Sequence, residues 1–573
     1  MDSQPWFRFY EPHVPEHIDY PDWTMPRVLQ RVAQTYPYRT ATLFKGARLA
    51  YGDLNRAVNR LAAAWQRLGV RPGDRVALHL PNCPQYLIAY YATLRVGALV
   101  VPCNPLYQAQ EMRHQLNDSG ASVLVTLSSF YPLIRKIRPE TKLRHVVVAQ
   151  IKSYFKPATR ALFTLFMERA HGHWVDISAD ERTDWFTDLL ARAPARPDPV
   201  DVRPEDLAVL MYTGGTTGVS KGAELTHRNI FANAYQCRVW LNAAEAQETT
   251  LIQVPLFHCY GMTTGMNLGV LIAGTLLLIP DPRDLQDVVH SIVRWKPTLY
   301  PGVPAMYNAI NNLPGIERYS LRSIKACISG AAGLPGEVQA RFQALTGARL
   351  VEGYGLSEAS PVTHANPIFG ENRLGTIGLP WPDTEVKLVD VESGEHRVAA
   401  GEPGELCVRG PQVVRGYWNM PTETANVLRS DAAGGRPWLH TGDIAVMDEA
   451  GYFKIVDRKK DMILGAGGYN VYPREIEDLF YRHPKVLEAA AIGIPLEDKG
   501  ERVKVFVVLK PGETAAEDEL LAFCRANLAP YKVPKSVEFR DALPKTAVGK
   551  ILRRTLVAEE RARGAAGPDP ERA

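Results

Sequence analysis

The chain predicts an α/β protein with a large amino-terminal domain of βα-built sheets, a β-rich subdomain and a small α+β carboxyl-terminal domain. Three observations carry this expectation. Short β-rich runs alternate with longer segments of helical period, Gly-punctuated strands take over from about residue 375, and a second, smaller α/β unit follows Asp461.

The elements follow in order. "RVALHLPN" (75–82) precedes the helical "CPQYLIAYYATLRVG"; then come "ALVVPCNP", a polar helical stretch, "ASVLVTL" and "HVVVAQ". The rhythm returns after residue 205 in "DLAVLMYT", "TTLIQVPLF", "GTLLLIP", "PTLYPGVP" and "KACISGAA", which indicates βα units on a mostly parallel sheet. "GTIGLPWPDTEVKLVD", "GEPGELCVRG" and "GYFKIVDR" read as the β-rich subdomain. After "DRKKDMILGAGGYNVYPREIEDLF" come the strands "LEAAAIGIP" and "RVKVFVVLK" and a helix at 515–528. The boundaries expected are a large domain over 1–457, a junction at 458–461, a small domain over 462–560 and a disordered Gly/Pro/charge-rich tail over 561–573.

Composition narrows the function classes. The 573 residues carry 66 basic and 62 acidic side chains, a balance that excludes general nucleic-acid binding. Seven scattered cysteines with no CxxC pair fit reduced thiols in the cytoplasm and build no zinc site. The amino terminus lacks the apolar core of a signal peptide, and "MNLGVLIAGTLLLIP" (266–280) is too short to span a bilayer, so it reads as a buried helix leading into a strand.

Residues 150–170, "QIKSYFKPATRALFTLFMERA" with its flanks, stand apart. Phe155, Ala158, Leu162, Leu165 and Phe166 share one helical face, with Lys156 and Arg160 off it. Residues 131–173 hold nine Lys or Arg against Glu140 and Glu168. Such a helix suits a membrane interface; the alternative is an ordinary surface helix packed through that face onto the core.

The chemistry centres on "YTGGTTGVSKGAELTHRN" (212–229), read as strand, glycine loop and helix. Gly214, Gly215 and Gly218 leave backbone N–H groups free to approach phosphate oxygens, Thr213, Thr216 and Thr217 add hydroxyl donors, and Lys221 adds charge. The spacing is neither GxxxxGK[ST] nor GxGxxG, which excludes the Walker A and dinucleotide-binding loops.

This loop, followed in order by "PLFHCYGM", "SGAAGLP", "EGYGLSEASP", "HTGD", "IVDRKKDMI", "GGYNVYPREIE" and "LPKTAVGKILRR", resembles the adenylate-forming superfamily of acyl-CoA synthetases, peptide-synthetase adenylation domains and luciferases. The resemblance covers about residues 20–555, and "YTGGTTG", "DRKKDMI" and "NVYP" look most like bacterial long-chain fatty acyl-CoA synthetases. It implies two half-reactions: a carboxylate attacks the α-phosphate of ATP to give acyl-AMP and pyrophosphate, then the thiol of coenzyme A displaces AMP. It also implies that the small domain is mobile and turns between the two steps.

Residue by residue, the resemblance makes Glu358 the carboxylate for Mg²⁺, with Lys221 and Lys550 as the other catalytic groups. Many relatives carry Ser or Thr where this chain has Gly214, so a hydroxyl contact to the metal is missing there. Tyr354, between Gly353 and Gly355, stacks on adenine beside Gly330, Ala331 and Ala332, while Asp443 and Arg458 take the ribose. Lys460 is the hinge within 458–461, and Gly467 and Gly468 leave a path for the pantetheine arm of CoA. His258, Tyr260, Gly261 and Met262 supply walls of the acid pocket.

No acid or base suited to an amino group appears in the loop, and smooth apolar walls suit an alkyl chain. The expected function is therefore a long-chain fatty acid–CoA ligase using ATP, CoA and Mg²⁺, cytoplasmic or peripheral on the inner face of the cell membrane. Aryl- or medium-chain-acid CoA ligases, an acyl-AMP ligase loading a carrier protein and a silent acyl/ATP-binding sensor are the alternatives. The oligomeric state is open, a homodimer being one option.

Overall fold

The computed structural model describes residues 4–213, 220–431, 435–464, 470–496, 500–546 and 551–565. The chain divides into two compact units, one of Met1–Glu385 with Val408–Leu439 and one of Val386–Cys407 with His440–Ala573. The expected boundary at residue 457 falls inside the second unit, and the β-rich run is divided between the two units.

In the first unit, a seven-stranded sheet runs in the order Thr183–Trp185, His145–Ala149, Val123–Leu127, Arg75–His79, Leu99–Pro102, Leu207–Thr213 and Lys221–Thr226. All neighbours are parallel except the last pair. A second sheet orders Thr249–Ile252, Thr275–Leu278, Thr40–Phe44 and Ala47–Ala50. Helix Pro84–Arg95 starts on a proline suited to its first turn, and every residue from Pro84 to Leu94 is buried. Its tyrosines and leucines join one core with Val76 and Val100 of the first sheet and Phe44 and Leu276 of the second. A helix apolar all round is a helix between layers.

A third sheet orders Ala326–Ser329, Arg349–Gly355, Val362–Ala365 and Leu379–Pro380, the first pair parallel and the others antiparallel. "PTLYPGVP", expected as a strand, makes only isolated bridges at Leu299 and Gly302. Pro297, Pro301 and Pro304 interrupt it, and each lacks the N–H a ladder needs. The 266–280 stretch does run from buried helix into the strand Thr275–Leu278.

In the second unit, Val486–Leu496 pairs antiparallel with Gly500–Leu509, which pairs parallel with Ser536–Phe539. The period of two splits their side chains: Ala489, Ala491, Val505 and Val507 pack with Ile476, Phe480 and Leu520, whereas Ala490, Ile492 and Phe506 pack with Leu543 and Leu556. Helices therefore cover both faces. The helix Arg553–Ala565 runs into the segment expected as tail, so Arg561–Ala565 are helical.

Residues 150–170 fold as a 3₁₀ turn at Ile151–Tyr154, helix Pro157–Leu162 and a π-helical turn Phe163–Met167. Leu162, Leu165 and Phe166 point outward, whereas Phe155, expected on the same face, packs on Phe44, so the expected single face splits. Among the described residues no helix is long and apolar enough to cross a membrane. All seven cysteines are buried and free of disulfides.

Candidate active site

The glycine loop does not lead into a helix. Leu207–Thr213 and Lys221–Thr226 are antiparallel strands, with Thr213 opposite Lys221 and Tyr212 opposite Gly222, and the helix His227–Trp240 begins only afterwards. The alternation in "KGAELT" explains the added strand, and the reciprocal bonds of Thr226 and Asn229 mark the true helix start. Any phosphate cradle here is thus a hairpin tip rather than a helix N-terminus. Gly214, Gly215, Thr216, Thr217 and Gly218 lie outside the described residues, but their base is pinned by Ser220 Oγ donating to Thr213 O at 2.9 Å.

From this hairpin a chain of contacts runs to Glu358. Lys221 pairs with the Glu423 carboxylate, and its Nζ lies 5.5 Å from the centre of the Tyr417 ring. Tyr417 donates its hydroxyl to Glu358 Oε1 at 2.7 Å. Burial and the charge of Glu358 hold the Tyr417 hydroxyl protonated, well above its ordinary range, so it serves as a fixed donor. The backbone repeats the link: Val414 N–H donates to Glu358 O, and Trp418 N–H to Gly222 O. Tyr417 and Glu423 were not singled out in the sequence. No local motif marks them, and they stand 59 and 202 residues from their partners.

Gly330 to Ala332 and Tyr354 sit at the carboxyl ends of neighbouring parallel strands, Ala326–Ser329 and Arg349–Gly355, where α/β sheets bind ligands. Ala331 adopts φ +70°, and both it and Ala332 are exposed. Tyr354 is half-buried and meets His364 edge-on, ring centres 6.0 Å apart. Burial pushes the His364 imidazole down to about 3, so it stays neutral beside that ring. Gly355 is demanded sterically, since a Cβ there would lie 2.1 Å from Pro361 O; Gly353 packs against Ile328.

The acid-pocket candidates adjoin this edge. Tyr260 donates its hydroxyl to Ile328 O at 2.6 Å, and its ring would touch a Cβ at Gly330 at 3.4 Å. Tyr260 also packs with Val254, Val303 and Met306 in a small apolar cluster of its own. His258 is half-buried, and its Nδ1 accepts from Tyr260 N–H at 3.3 Å. Gly261 is pressed against Pro255, whereas Met262 is fully buried in the main core.

In the second unit, Trp438–Met447 and Phe453–Arg458 are antiparallel and place Asp443 opposite Arg458. Arg458 Nε lies 3.0 Å from Asp443 Oδ1, and Asp443 is only 4% exposed. The two residues expected at the ribose are thus one ion pair. Behind them, burial opposes ionisation of Glu405, but bonds from His440 and Lys459 hold its carboxyl down to about 2.

Lys460 lies in the turn after this strand, where Asp461 and Met462 N–H groups donate to Arg458 O. Lys550, Gly467 and Gly468 lie outside the described residues. The flanks of Lys550 are fixed: Lys545 bridges Ile551, and Arg553 binds Glu477 through Nε at 3.0 Å and Asp461 at 3.0 Å. The residue three positions after Lys550 is therefore anchored beside the turn that carries Lys460.

This cluster carries a pH prediction. Burial pushes the Asp457 carboxyl up to about 6, against the opposing pull of Arg553 and of two backbone N–H groups. The folded chain then binds more protons than the unfolded chain between about pH 4 and pH 6, so stability falls as pH rises through that window. Asp457→Asn should remove this component. Urea unfolding at about pH 5 and about pH 8 should show the variant gaining on the native chain by roughly 1–3 kcal/mol at the higher pH. A difference that does not change with pH would contradict the assignment.

Among the described residues no group of three or more His, Cys, Asp or Glu side chains gathers to hold a metal. Glu358, a half-buried carboxylate steadied by Tyr417, instead suits a hard cation that takes its other oxygens from phosphate and water.

Comparison with known proteins gives the family. Residues 29–418 match the family described as AMP-binding enzyme, and residues 475–550 match the AMP-binding enzyme C-terminal domain. The chain is 44% identical over 570 residues to a protein of Bacillus subtilis (strain 168) named long-chain-fatty-acid–CoA ligase, covering 98% of this chain and 99% of that one. A protein of the same name from Escherichia coli O157:H7 is 40% identical over 561 residues, covering 97% and 98%. Among solved structures, the anthranilate CoA ligase AuaEII in complex with anthranoyl-AMP matches with a TM-score of 0.81 and 27% identity, covering 95% of this chain and 98% of that one.

Proposed function

The chain belongs to the AMP-binding enzyme family, and from that membership we propose that it activates a long-chain fatty acid with ATP and passes it to CoA. The observation that carries the reading is the whole-length match, at 40–44% identity, to relatives named for that substrate. The aryl-acid ligase matches over a similar span at only 27%, so likeness of fold alone does not choose the acid.

In the first step a carboxylate oxygen bonds to the α-phosphorus and pyrophosphate leaves with the electrons of the broken P–O bond. Two anions must meet, so the site needs cations and oriented donors. Lys221 brings charge to the base of the glycine hairpin, and the Tyr417 hydroxyl holds the Glu358 carboxylate in place. Glu358 would hold Mg²⁺, which when bound neutralises phosphate oxygens. Tyr354 and Gly330–Ala332 offer a flat edge for adenine. Asp443, paired with Arg458, is the carboxylate for the ribose hydroxyls.

Lys550 bridges the carboxylate and α-phosphate as charge builds on both. Turning about Lys460 then withdraws Lys550 and exposes the acyl carbon. The thiolate sulfur of CoA bonds to that carbon, AMP departs with the C–O electrons, and Gly467 and Gly468 leave room for the pantetheine arm. A substrate that partitions into bilayers suits an enzyme peripheral on a membrane, through residues 150–170.

A panel of acids from acetate to long-chain and aryl, with acyl-AMP and CoA thioester measured separately, tests the reading. Long-chain acids should give the highest kcat/KM and both products. Predominant turnover of aryl acids would overturn the substrate class, and acyl-AMP without thioester would favour a ligase that loads another thiol.

A further inference from the structure

The geometry points to a membrane-docking face, built from Leu162, Leu165, Phe166 and Trp174 with Lys156, Arg160 and Arg169 around them, that seats the protein on an anionic lipid bilayer. Leu165, Phe166 and Trp174 are 74%, 72% and 59% exposed. Together with Leu162 and Met167 they make five of the fourteen large apolar side chains exposed among the described residues, gathered into thirteen positions. Scattered exposed apolar residues need no account, but a cluster of this kind marks an interaction surface.

The segment is not merely unpacked. Its inner side is anchored by Phe155 against Phe44 at 5.6 Å, by Phe163 against Phe155 and His173 at 5.4 Å each, and by the buried Lys152–Glu168 pair at 2.6 Å. Those contacts hold Leu162, Leu165 and Phe166, spaced i, i+3 and i+4, on the opposite side.

Charge selects the occupant. Glu168 is the sole acid from Thr141 to Val175, and it is buried against Lys152, so the exposed charges of that stretch are all cationic. The next acid, Asp176, is exposed and accepts from Ser178 N–H, and with Asp184 and Asp188 it makes the far side of Trp174 acidic, so the cationic rim is the one around Leu162, Leu165 and Phe166. Arg169 lies over the Trp174 ring at 5.2 Å, an amphipathic pair suited to the headgroup level. An apolar ridge rimmed by cations matches acyl chains beneath anionic headgroups. The docking face rests on the fatty-acid reading only for its purpose, capture of an acid dissolved in the bilayer; its binding stands apart from catalysis.

Flotation of the full-length protein with vesicles of phosphatidylcholine alone, or with about a third phosphatidylglycerol, tests the inference. The native chain should bind the anionic vesicles, bind the neutral ones weakly, and be released by salt. Leu165→Glu with Phe166→Glu should weaken binding at least roughly tenfold, and Lys156→Glu with Arg160→Glu should abolish the preference for anionic lipid. Emission quenching by brominated lipid should fall in Trp174→Phe. Oleate turnover in detergent should be unchanged in all of these variants, which separates failure of docking from failure of the enzymatic reading. Undiminished vesicle binding by the double-glutamate variant would overturn the proposal. So would a dimer of the native chain that this variant breaks, which would assign the face to a second copy.

Discussion

Lys550→Ala is expected to lower acyl-AMP formation by about 10²–10³-fold while leaving CoA transfer to pre-made acyl-AMP within several-fold of the native rate. The asymmetry follows from where charge develops. Adenylation brings a carboxylate onto a polyanion, and one compact ammonium can neutralise oxygens on both reactants. Thioesterification attacks a neutral acyl carbon, so it loses little when that ammonium is gone. The loop is held at its base by the Lys545–Ile551 bridge and by Arg553 on Glu477 and Asp461, so the substitution should not disturb folding. Lys550→Arg should not restore the rate, because a planar fork cannot take the position of a point charge. Single-turnover measurement of each half-reaction separates the two outcomes, and equal loss of both would refute this division of roles.

Glu358→Gln is the second large effect. The amide keeps the size of the side chain and still accepts the Tyr417 hydroxyl, so the change reports on charge alone. Pyrophosphate release should fall by about 10²-fold, and the Mg²⁺ concentration for half-maximal rate should rise. Tyr417→Phe removes only the donor that orients the carboxylate, and a smaller loss, roughly tenfold, is expected. A magnesium titration of the three proteins checks the order. An unchanged magnesium dependence in Glu358→Gln would remove Glu358 from the metal's surroundings.

Why these residues differ in legibility is a matter of sequence distance. Helix Pro84–Arg95 and the parallel strands around it follow from the local alternation of long and short apolar runs, whereas the ordered motifs speak only through the family resemblance. Asp443 and Arg458 lie within one hairpin, but their direct ion pair was not legible in the sequence. Tyr417 and Glu423 are different: an unremarkable Tyr and Glu acquire meaning only when Trp418 is tied to Gly222 across the fold.

The misreading of the glycine loop has a physical cause. Thr226 and Asn229 do cap a helix, but the six residues Lys221–Thr226 pair as a strand, which moves the loop from a helix N-terminus to the link between two antiparallel strands. Periodicity has a further limit in residues 157–167. It groups Leu162, Leu165 and Phe166 on one face, yet it cannot say which way that face points. The buried Lys152–Glu168 pair and the Phe44–Phe155 contact decide that it points outward.

The central claim is a carboxylate activated as acyl-AMP, with pyrophosphate released before CoA takes part. Exchange of labelled pyrophosphate into ATP, with Mg²⁺ present and CoA withheld, tests it most directly. Exchange that depends on added oleate and fades with short-chain and aryl acids is the result this account predicts. Cleavage of ATP to ADP and phosphate, or exchange that needs no acid, would contradict it.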